Sequence, residues 1–295
     1  MLKIISCISI IMLTALVIII IESVREHKIF KVTRYKIFNK KIPEEFKNTK
    51  LVVISDLHNA FYGNDNEKLF NKIRELKPDF IILAGDMPVA NTKNAENNIK
   101  TAKNLIKLTD IADVFYGIGN HEKRMMVKDL LKDNWDDYYK IIQNHKGEHD
   151  FCFMNNKKIE INRADKKINI YGLDIDLSYY QRFSKLRPDV KDIEKYIGKS
   201  DKDIFNMLIA HNPDYFDSYA KWGADLTFSG HVHGGMVRLP FIGGIVSPKP
   251  RLFPHYDYGK YEKNGKTMLL SGGTGSHSIK IRFNNIPEIL VVELN

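Results

Sequence analysis

The feature that most constrains the fold of this chain is a short apolar run, rich in β-branched residues, that occurs five times and leads each time to Asp, Asn or His. The five segments are residues 50–58, 79–86, 113–122, 205–213 and 224–235. Apolar residues at helical spacing separate the first three, over residues 65–76 and 94–108. Strands that alternate with helices of this length predict a largely parallel sheet with helices on both faces, whose sites lie at the carboxyl ends of the strands.

The polar residues that follow these runs are of the types that bind metal ions. They are Asp56, His58, Asp86, Asn120, His211, His231 and His233. Each one alone suits a turn, a helix cap or a surface imidazole. Core packing and helix capping do not require Asp, Asn or His at the same end of five strands. The seven residues together therefore predict a functional site. Neutral imidazole is a ligand for Zn, Mn, Fe, Co or Ni, and the glycines beside the two histidines of 231–233 let the backbone approach an ion.

The rest of the chain indicates a second layer of strands. With 295 residues, 43% of them hydrophobic, the chain is large enough to bury a sizeable core in one α/β domain. Apolar and polar residues alternate over 157–161 and 167–173, which predicts strands of a more antiparallel sheet. Residues 266–273 and 288–294 are expected to complete that second sheet.

An uncharged apolar stretch, residues 4–21, is long enough to cross a bilayer. A cleaved signal peptide is the alternative, but residues 22–28 contain no small-x-small cleavage site, which favours an uncleaved anchor. The predicted organisation is therefore an anchor over residues 1–28, a basic linker over 29–48 and a catalytic domain over 49–295. Since no candidate ligand or predicted core strand precedes Lys50, we expect the domain to fold without residues 1–28.

The net charge of +9 is concentrated beside the apolar stretch: residues 1–41 hold eight Lys or Arg against two Glu. This distribution favours membrane lipids as a partner of the basic segment and argues against nucleic acid, which is usually bound by basic patches on the folded domain. The positive-inside rule favours a cytoplasmic domain, although short amino-terminal anchors also insert the other way. Cys7 lies in the apolar stretch, so it and Cys152 form no disulfide within the domain.

In order and spacing, the motifs D-x-H, G-D, G-N-H-[DE], H and G-H-x-H resemble the calcineurin-like metallophosphoesterase superfamily over about residues 50–295. The segments 211–213, 230–240, 281–283 and 287–289 are similar to its YkuE-type membrane-associated branch, which includes enzymes acting on UDP-2,3-diacylglucosamine. The resemblance implies a four-layer αββα sandwich of two mixed sheets, preceded here by one transmembrane helix.

The resemblance also implies roles for single residues. One divalent ion would be held by Asp56, His58, Asp86 and His233, and a second by Asp86, Asn120, His211 and His231, with Asp86 bridging. The ions would be Mn, Zn or Fe, and they would lower the pKa of a shared water and offset phosphoryl charge. His121 would act at the leaving oxygen. Arg238 and Arg282 would bind substrate or pair with carboxylates in the fold, and His255 and His277 would contact substrate or lie on exposed loops.

Three functions fit these residues. The first is hydrolysis of a phosphodiester or pyrophosphate, with a phosphorylated small molecule or a lipid-linked molecule such as UDP-2,3-diacylglucosamine as substrate. The second is a phosphomonoesterase or protein phosphatase with the same site, because substrate choice depends on loops. The third is a metal-bound scaffold without turnover, against which the presence of His121 argues.

Overall fold

A computed structural model describes residues 2–181, 184–235, 237–239, 241, 243–245, 254–276 and 281–295. The strands are β1 (Lys31–Ile37), β2 (Lys50–Ile54), β3 (Phe80–Ala84), β4 (Asp113–Gly117), β5 (Phe151–Met154), β6 (Lys157–Arg163), β7 (Lys166–Leu173), β8 (Asn206–Ala210), β9 (Leu226–Ser229), β10 (Arg238–Leu239), β11 (Gly243–Gly244), β12 (Gly259–Lys263), β13 (Lys266–Leu270) and β14 (Glu288–Leu294). The helices are α1 (Leu2–Glu26), α2 (Glu67–Leu76), α3 (Ala95–Leu105), α4 (Asn120–Val127), α5 (Asp129–Gln143), α6 (Val190–Ile197) and α7 (Phe216–Trp222).

Two mixed sheets, each of six strands within the described residues, form the body of the protein. The first has the order β1-β14-β2-β3-β4-β5, and the second has the order β12-β13-β9-β8-β7-β6. The strands that lead to the predicted ligands run parallel within each sheet: β2, β3 and β4 in the first, β8 and β9 in the second. A short antiparallel pair, β10 and β11, lies apart from both sheets.

The two sheets pack face to face through alternate residues of their strands. Leu51 and Val53 of β2 lie in one apolar cluster with Met207, Ile209 and Phe228 of the second sheet. All five side chains are buried. Because successive side chains of a strand point to opposite faces, the residues between them are left to meet the outer layers.

Helices cover the outer face of each sheet. Val52 shares an apolar cluster with Ile73 of α2 and Trp135 of α5. On the other side, Leu208 packs with Ile193 of α6, in a cluster that also contains Tyr219 of α7. Burial on both faces explains why these strands are continuous apolar runs rather than alternating ones. The fold is therefore the expected four-layer αββα sandwich, preceded by an apolar helix.

Besides β8 and β9, which lie in the second sheet and not beside β2, β3 and β4, two more segments differ from the sequence prediction. Strand β14 lies in the first sheet, where it pairs antiparallel with β2, so its assignment to the second sheet is wrong. Residues 31–37, expected to be part of a basic linker, form β1 and pair in parallel with β14. This stretch was predicted to be a linker because it is basic, with Lys31, Arg34 and Lys36. Charged side chains are also typical of an edge strand, where they discourage pairing with another chain.

Helix α1 is joined closely to the body. Among the described residues, Lys3–Glu26 is the one helix long and apolar enough to cross a membrane. Most of its described apolar side chains are exposed, whereas Ser23 and Glu26 in its last turn are buried. Four residues separate Glu26 from the start of β1. The division into anchor and catalytic domain stays a prediction, but a free tether between them is not what the structure shows.

Candidate metal centre

The predicted ligands meet where the carboxyl ends of strands from both sheets face each other. Loops after β2 and β3 carry Asp56, His58 and Asp86, and the loops after β8 and β9 carry the remaining histidines. Asn120 is the buried first residue of α4, directly after β4. The sequence prediction placed these residues at one end of one sheet; the structure assembles them from two.

Three groups of side chains offer ligand atoms within 4.8 Å of one another. They are Asp56, His58 and His233; His58, Asp86 and His121; and Asp86, His211 and His231. The first and third groups each contain three of the four residues in one of the two ligand sets implied by the resemblance. The second adds His121 to the neighbourhood of His58 and Asp86, and the rings of His58 and His121 lie 4.7 Å apart.

Backbone carbonyls orient two of the ligand rings. His211 Nδ1 donates to the carbonyl of Ala84 at 2.8 Å, and His233 Nδ1 donates to the carbonyl of Gly275 at 3.1 Å. With its proton on Nδ1, a neutral ring presents the lone pair of Nε2 to a metal. His211 Nε2 lies 3.1 Å from Asp86 Oδ2, and His233 Nε2 lies 3.2 Å from Asp56 Oδ1.

These separations fit a bound cation. His58 Nε2 and His233 Nε2 are 3.1 Å apart. Two ligand atoms that each lie about 2.1 Å from a shared ion, at tetrahedral or octahedral angles, are roughly 3.0–3.4 Å apart. Imidazole nitrogens and carboxylate oxygens converging at this spacing therefore suit a divalent cation of the zinc, manganese or iron type.

The carboxylates and histidines of the buried site shift each other's pKa values. Burial alone would raise the pKa of Asp56, but His233, His211 and His58 outweigh it and hold that pKa below its usual range. Burial likewise opposes ionisation of Asp86, yet His211 and His121 keep its pKa well below the ordinary value. Burial alone would lower the pKa of His211, but the carboxylates of Asp86 and Asp56 outweigh burial and raise this pKa to about 9. Without a cation, the protonated imidazole of His211 thus offsets part of the negative charge of the two carboxylates, and a metal must displace that proton.

Five of the ligand residues adopt the left-handed backbone region. Their φ angles are 51° for Asp56, 45° for His58, 58° for Asp86, 75° for His231 and 54° for His233. This conformation is uncommon outside glycine and occurs often at functional sites. It turns the chain sharply at each strand end, so that the side chains aim back into the space between the sheets.

Glu122 holds the loop after β3 against the start of α4. Its carboxylate accepts from the backbone N–H groups of Asp86 at 2.9 Å, Met87 at 2.8 Å and Gly119 at 3.1 Å, and from the hydroxyl of Tyr116 at 2.6 Å. Burial and the nearby Asp86 raise the pKa of Glu122 to about 7. No role was predicted for Glu122 from the sequence, although it is the acidic residue of the G-N-H-[DE] motif.

His121 is fixed at both its backbone and its ring. Its N–H donates to Asp86 Oδ1 at 2.7 Å, and its Nδ1 accepts from the backbone N–H of Ala90 at 2.9 Å. A backbone nitrogen can only donate, so the proton of the neutral ring is on Nε2. His121 can therefore offer one N–H to an oxygen in the site.

The two arginines predicted to bind substrate are engaged within the protein. Arg238 pairs with Asp257 at 3.0 Å, which is the carboxylate pairing given above as the alternative to substrate binding. Arg282 is buried, and its guanidinium donates to Ser276 Oγ and to backbone carbonyls. These contacts use the guanidinium to support the fold, and substrate binding by Arg282 stays a prediction. His255 is exposed, and His277 lies outside the described residues.

Tyr180 lies beside the predicted ligands, although no role was predicted for it from the sequence. Its buried ring meets the ring of His231 edge-on, with centroids 5.3 Å apart, and lies 6.3 Å from that of His211. No spacing rule marks this tyrosine, because it comes from the loop between β7 and α6.

The fold and the ligand groups define an α/β protein with a buried His/Asp site for divalent cations. Residues 49–235 match the model of the calcineurin-like phosphoesterase family, and the chain belongs to that family. It is a metal-dependent phosphoesterase, as the resemblance implied.

Related proteins extend over most of the chain. It is 27% identical to the metallophosphoesterase YkuE of Bacillus subtilis, over 91% of this chain and 87% of that protein. It is 23% identical to a transmembrane protein with metallophosphoesterase domain from Danio rerio, over 90% of this chain and 57% of that protein. A third relative, the phosphodiesterase YaeI of Escherichia coli, is 30% identical over 95 residues, which cover 32% of this chain and 34% of that protein.

Proposed function

We propose that this protein is a membrane-anchored phosphodiesterase or pyrophosphatase that uses two divalent cations. The observation that carries the proposal is the convergence of Asp56, His58 and His233 beside Asp86, His211 and His231. Two cations held by these groups, with Asn120 as a further ligand, would acidify water and offset the negative charge of phosphoryl oxygens.

The protein's own residues would orient the substrate's reacting bond. His121, with its proton on Nε2, donates a hydrogen bond to the leaving oxygen as negative charge develops there. Glu122 fixes the loops of Asp86 and His121 relative to each other, because its carboxylate accepts hydrogen bonds from backbone N–H groups of both loops. Tyr180 packs against His231 and excludes water from that side of the site.

The properties of helix α1 favour a substrate that is located at a lipid surface. Its exposed apolar length and the basic residues that follow it suit insertion beside anionic head groups. The Danio rerio relative is named as a transmembrane protein. The substrate class we propose is a lipid-linked phosphodiester or pyrophosphate, such as a UDP-2,3-diacylglucosamine-like molecule. The phosphodiesterase named among the relatives supports a diester over a monoester.

The test uses the full chain in detergent micelles, loaded with Mn²⁺. We expect hydrolysis of bis(p-nitrophenyl) phosphate and of lipid-linked nucleotide diphosphates, with slower hydrolysis of p-nitrophenyl phosphate. Preference for the monoester would refute the proposal in favour of a phosphomonoesterase. Two bound ions without turnover of any of these substrates would refute it in favour of a metal-bound scaffold.

A further inference from the structure

The last turn of α1 is hydrogen-bonded to the loop before β14. Ser23 and Glu26 lie three residues apart, on one face of the helix, and both are buried. The backbone N–H of Arg282 donates to Ser23 Oγ at 3.0 Å. The backbone N–H of Asn285 donates to both carboxylate oxygens of Glu26, at 3.1 and 3.0 Å. The helix end therefore occupies a built position on the protein.

The same loop supports the segment that carries His233. The side-chain amide of Asn285 donates to the carbonyl of His233 at 2.7 Å and to that of Gly235 at 2.5 Å. A Cβ added to Gly234 would lie 2.7 Å from Asn285 Oδ1, so the two segments are in close contact. One residue, Asn285, thus links the carboxylate of Glu26 to the backbone of a predicted metal ligand.

Arg282 links the loop to the same ligand by a second route. Its guanidinium donates to the carbonyl of Gly275 at 2.7 Å, and Gly275 in turn accepts from His233 Nδ1 at 3.1 Å. The carbonyl of Gly275, which fixes the proton of the His233 ring on Nδ1, is therefore itself held by the guanidinium of Arg282. The backbone N–H of Arg282 is in turn hydrogen-bonded to Ser23. Outer partners of this kind orient a ligand and tune metal affinity.

We infer that Ser23 and Glu26 are positioning residues for His233, so that the end of the apolar helix is part of the support of the metal ion bound by Asp56, His58 and His233. This inference rests on the proposed two-cation function. It treats α1 as a structural component of the site as well as an anchor.

The test measures Co²⁺ binding to the full chain in detergent micelles by visible absorption, whose spectrum reports coordination. His233→Ala and His231→Ala provide reference spectra for loss of the first and the second ion. We expect Glu26→Ala to lower the affinity for the first ion about 10- to 100-fold and to leave the affinity for the second ion unchanged. The matched control is Glu22→Ala, on the same helix one turn earlier, where the carboxylate is only partly buried and pairs with Arg25. It should bind Co²⁺ like the wild type.

Two further variants separate positioning from loss of folding. Glu26→Gln keeps an oxygen that accepts from Asn285 N–H, and it should restore most of the affinity lost in Glu26→Ala. Ser23→Ala removes a single acceptor and should weaken the first ion only a few-fold, with the native thermal unfolding transition retained. If Glu26→Ala fails to fold, these two variants decide the question: wild-type spectra for Ser23→Ala would overturn the inference.

The possible failures are distinguishable. Wild-type Co²⁺ affinity at both positions in Glu26→Ala would refute the positioning role alone. Equal weakening of both ions would also refute it, because the effect would then not act through His233. A wild-type chain that binds no Co²⁺ would refute the proposed two-cation function, and the inference with it.

Discussion

Replacement of His121 by alanine tests the proposed reaction most directly. The Nδ1 atom of His121 already accepts the N–H of Ala90, at 2.9 Å, so the neutral ring has one N–H to give to the substrate. The substitution therefore removes a single donor to a developing negative charge. Loss of one such donor slows catalysis by about 10²- to 10³-fold, or about 2.7–4 kcal/mol in the activation free energy. We expect a loss of this size in kcat on alkyl or sugar phosphodiesters.

The leaving group provides the internal comparison. A p-nitrophenolate needs little stabilisation, so we expect His121→Ala to lose less than about tenfold on bis(p-nitrophenyl) phosphate. The assay compares kcat for both substrates at saturating Mn²⁺, with bound metal measured in parallel. Asn120→Ala is the neighbouring comparison and should lose metal instead. Equal defects on both substrates would refute the leaving-group role. Loss of metal from His121→Ala would make His121 a ligand, as its proximity to His58 and Asp86 allows.

Three other predictions follow from the geometry of the site. Asp86→Ala should abolish activity and lower the metal content below two ions per chain, measured by elemental analysis; two retained ions would contradict the bridging role. Because the pKa of His211 is raised to about 9, the metal-free site is protonated at neutral pH, and apparent Mn²⁺ affinity should rise about tenfold per pH unit from 6 towards 9. A flat profile in a calorimetric titration would refute this. Glu122→Ala leaves three buried backbone N–H groups without their acceptor, so urea unfolding should show a free energy of unfolding lower by about 3 kcal/mol or more, whereas Glu148→Ala, at an exposed residue, should change it little.

The ligand pattern was readable from the sequence because it depends on local features. A strand that is buried on both faces is a continuous apolar run, and the residue that follows its carboxyl end is known once the run is found. Asp56, Asp86 and His211 were placed in this way. Their assembly from two facing sheets could not be predicted from strand spacing, because the pattern of an apolar run does not tell which sheet the strand joins.

The remaining differences all involve contacts between distant parts of the chain. β14 is apolar along both faces and fits either sheet by pattern; pairing with β2, more than 200 residues earlier, decides its place. β1 was hidden by its charged residues, which lie on an edge strand. The carbonyls that engage Arg282 also lie in another segment, and no local signal distinguishes a guanidinium that supports a loop from one that binds substrate. Motif spacing therefore predicted the chemistry better than it predicted the scaffold.

The left-handed backbone conformation of the five ligand residues lowers the stability of the fold at the positions that the metal site requires. Each such conformation costs about 1–2 kcal/mol in a residue other than glycine. Together they oppose folding by roughly 5–10 kcal/mol, which is comparable to the whole net stability of a typical domain. Glycine at any of these positions would relieve the backbone and remove a ligand in the same step. At residues 56, 58, 86, 231 and 233 the backbone therefore favours glycine, whereas the metal site requires the side chain that is present.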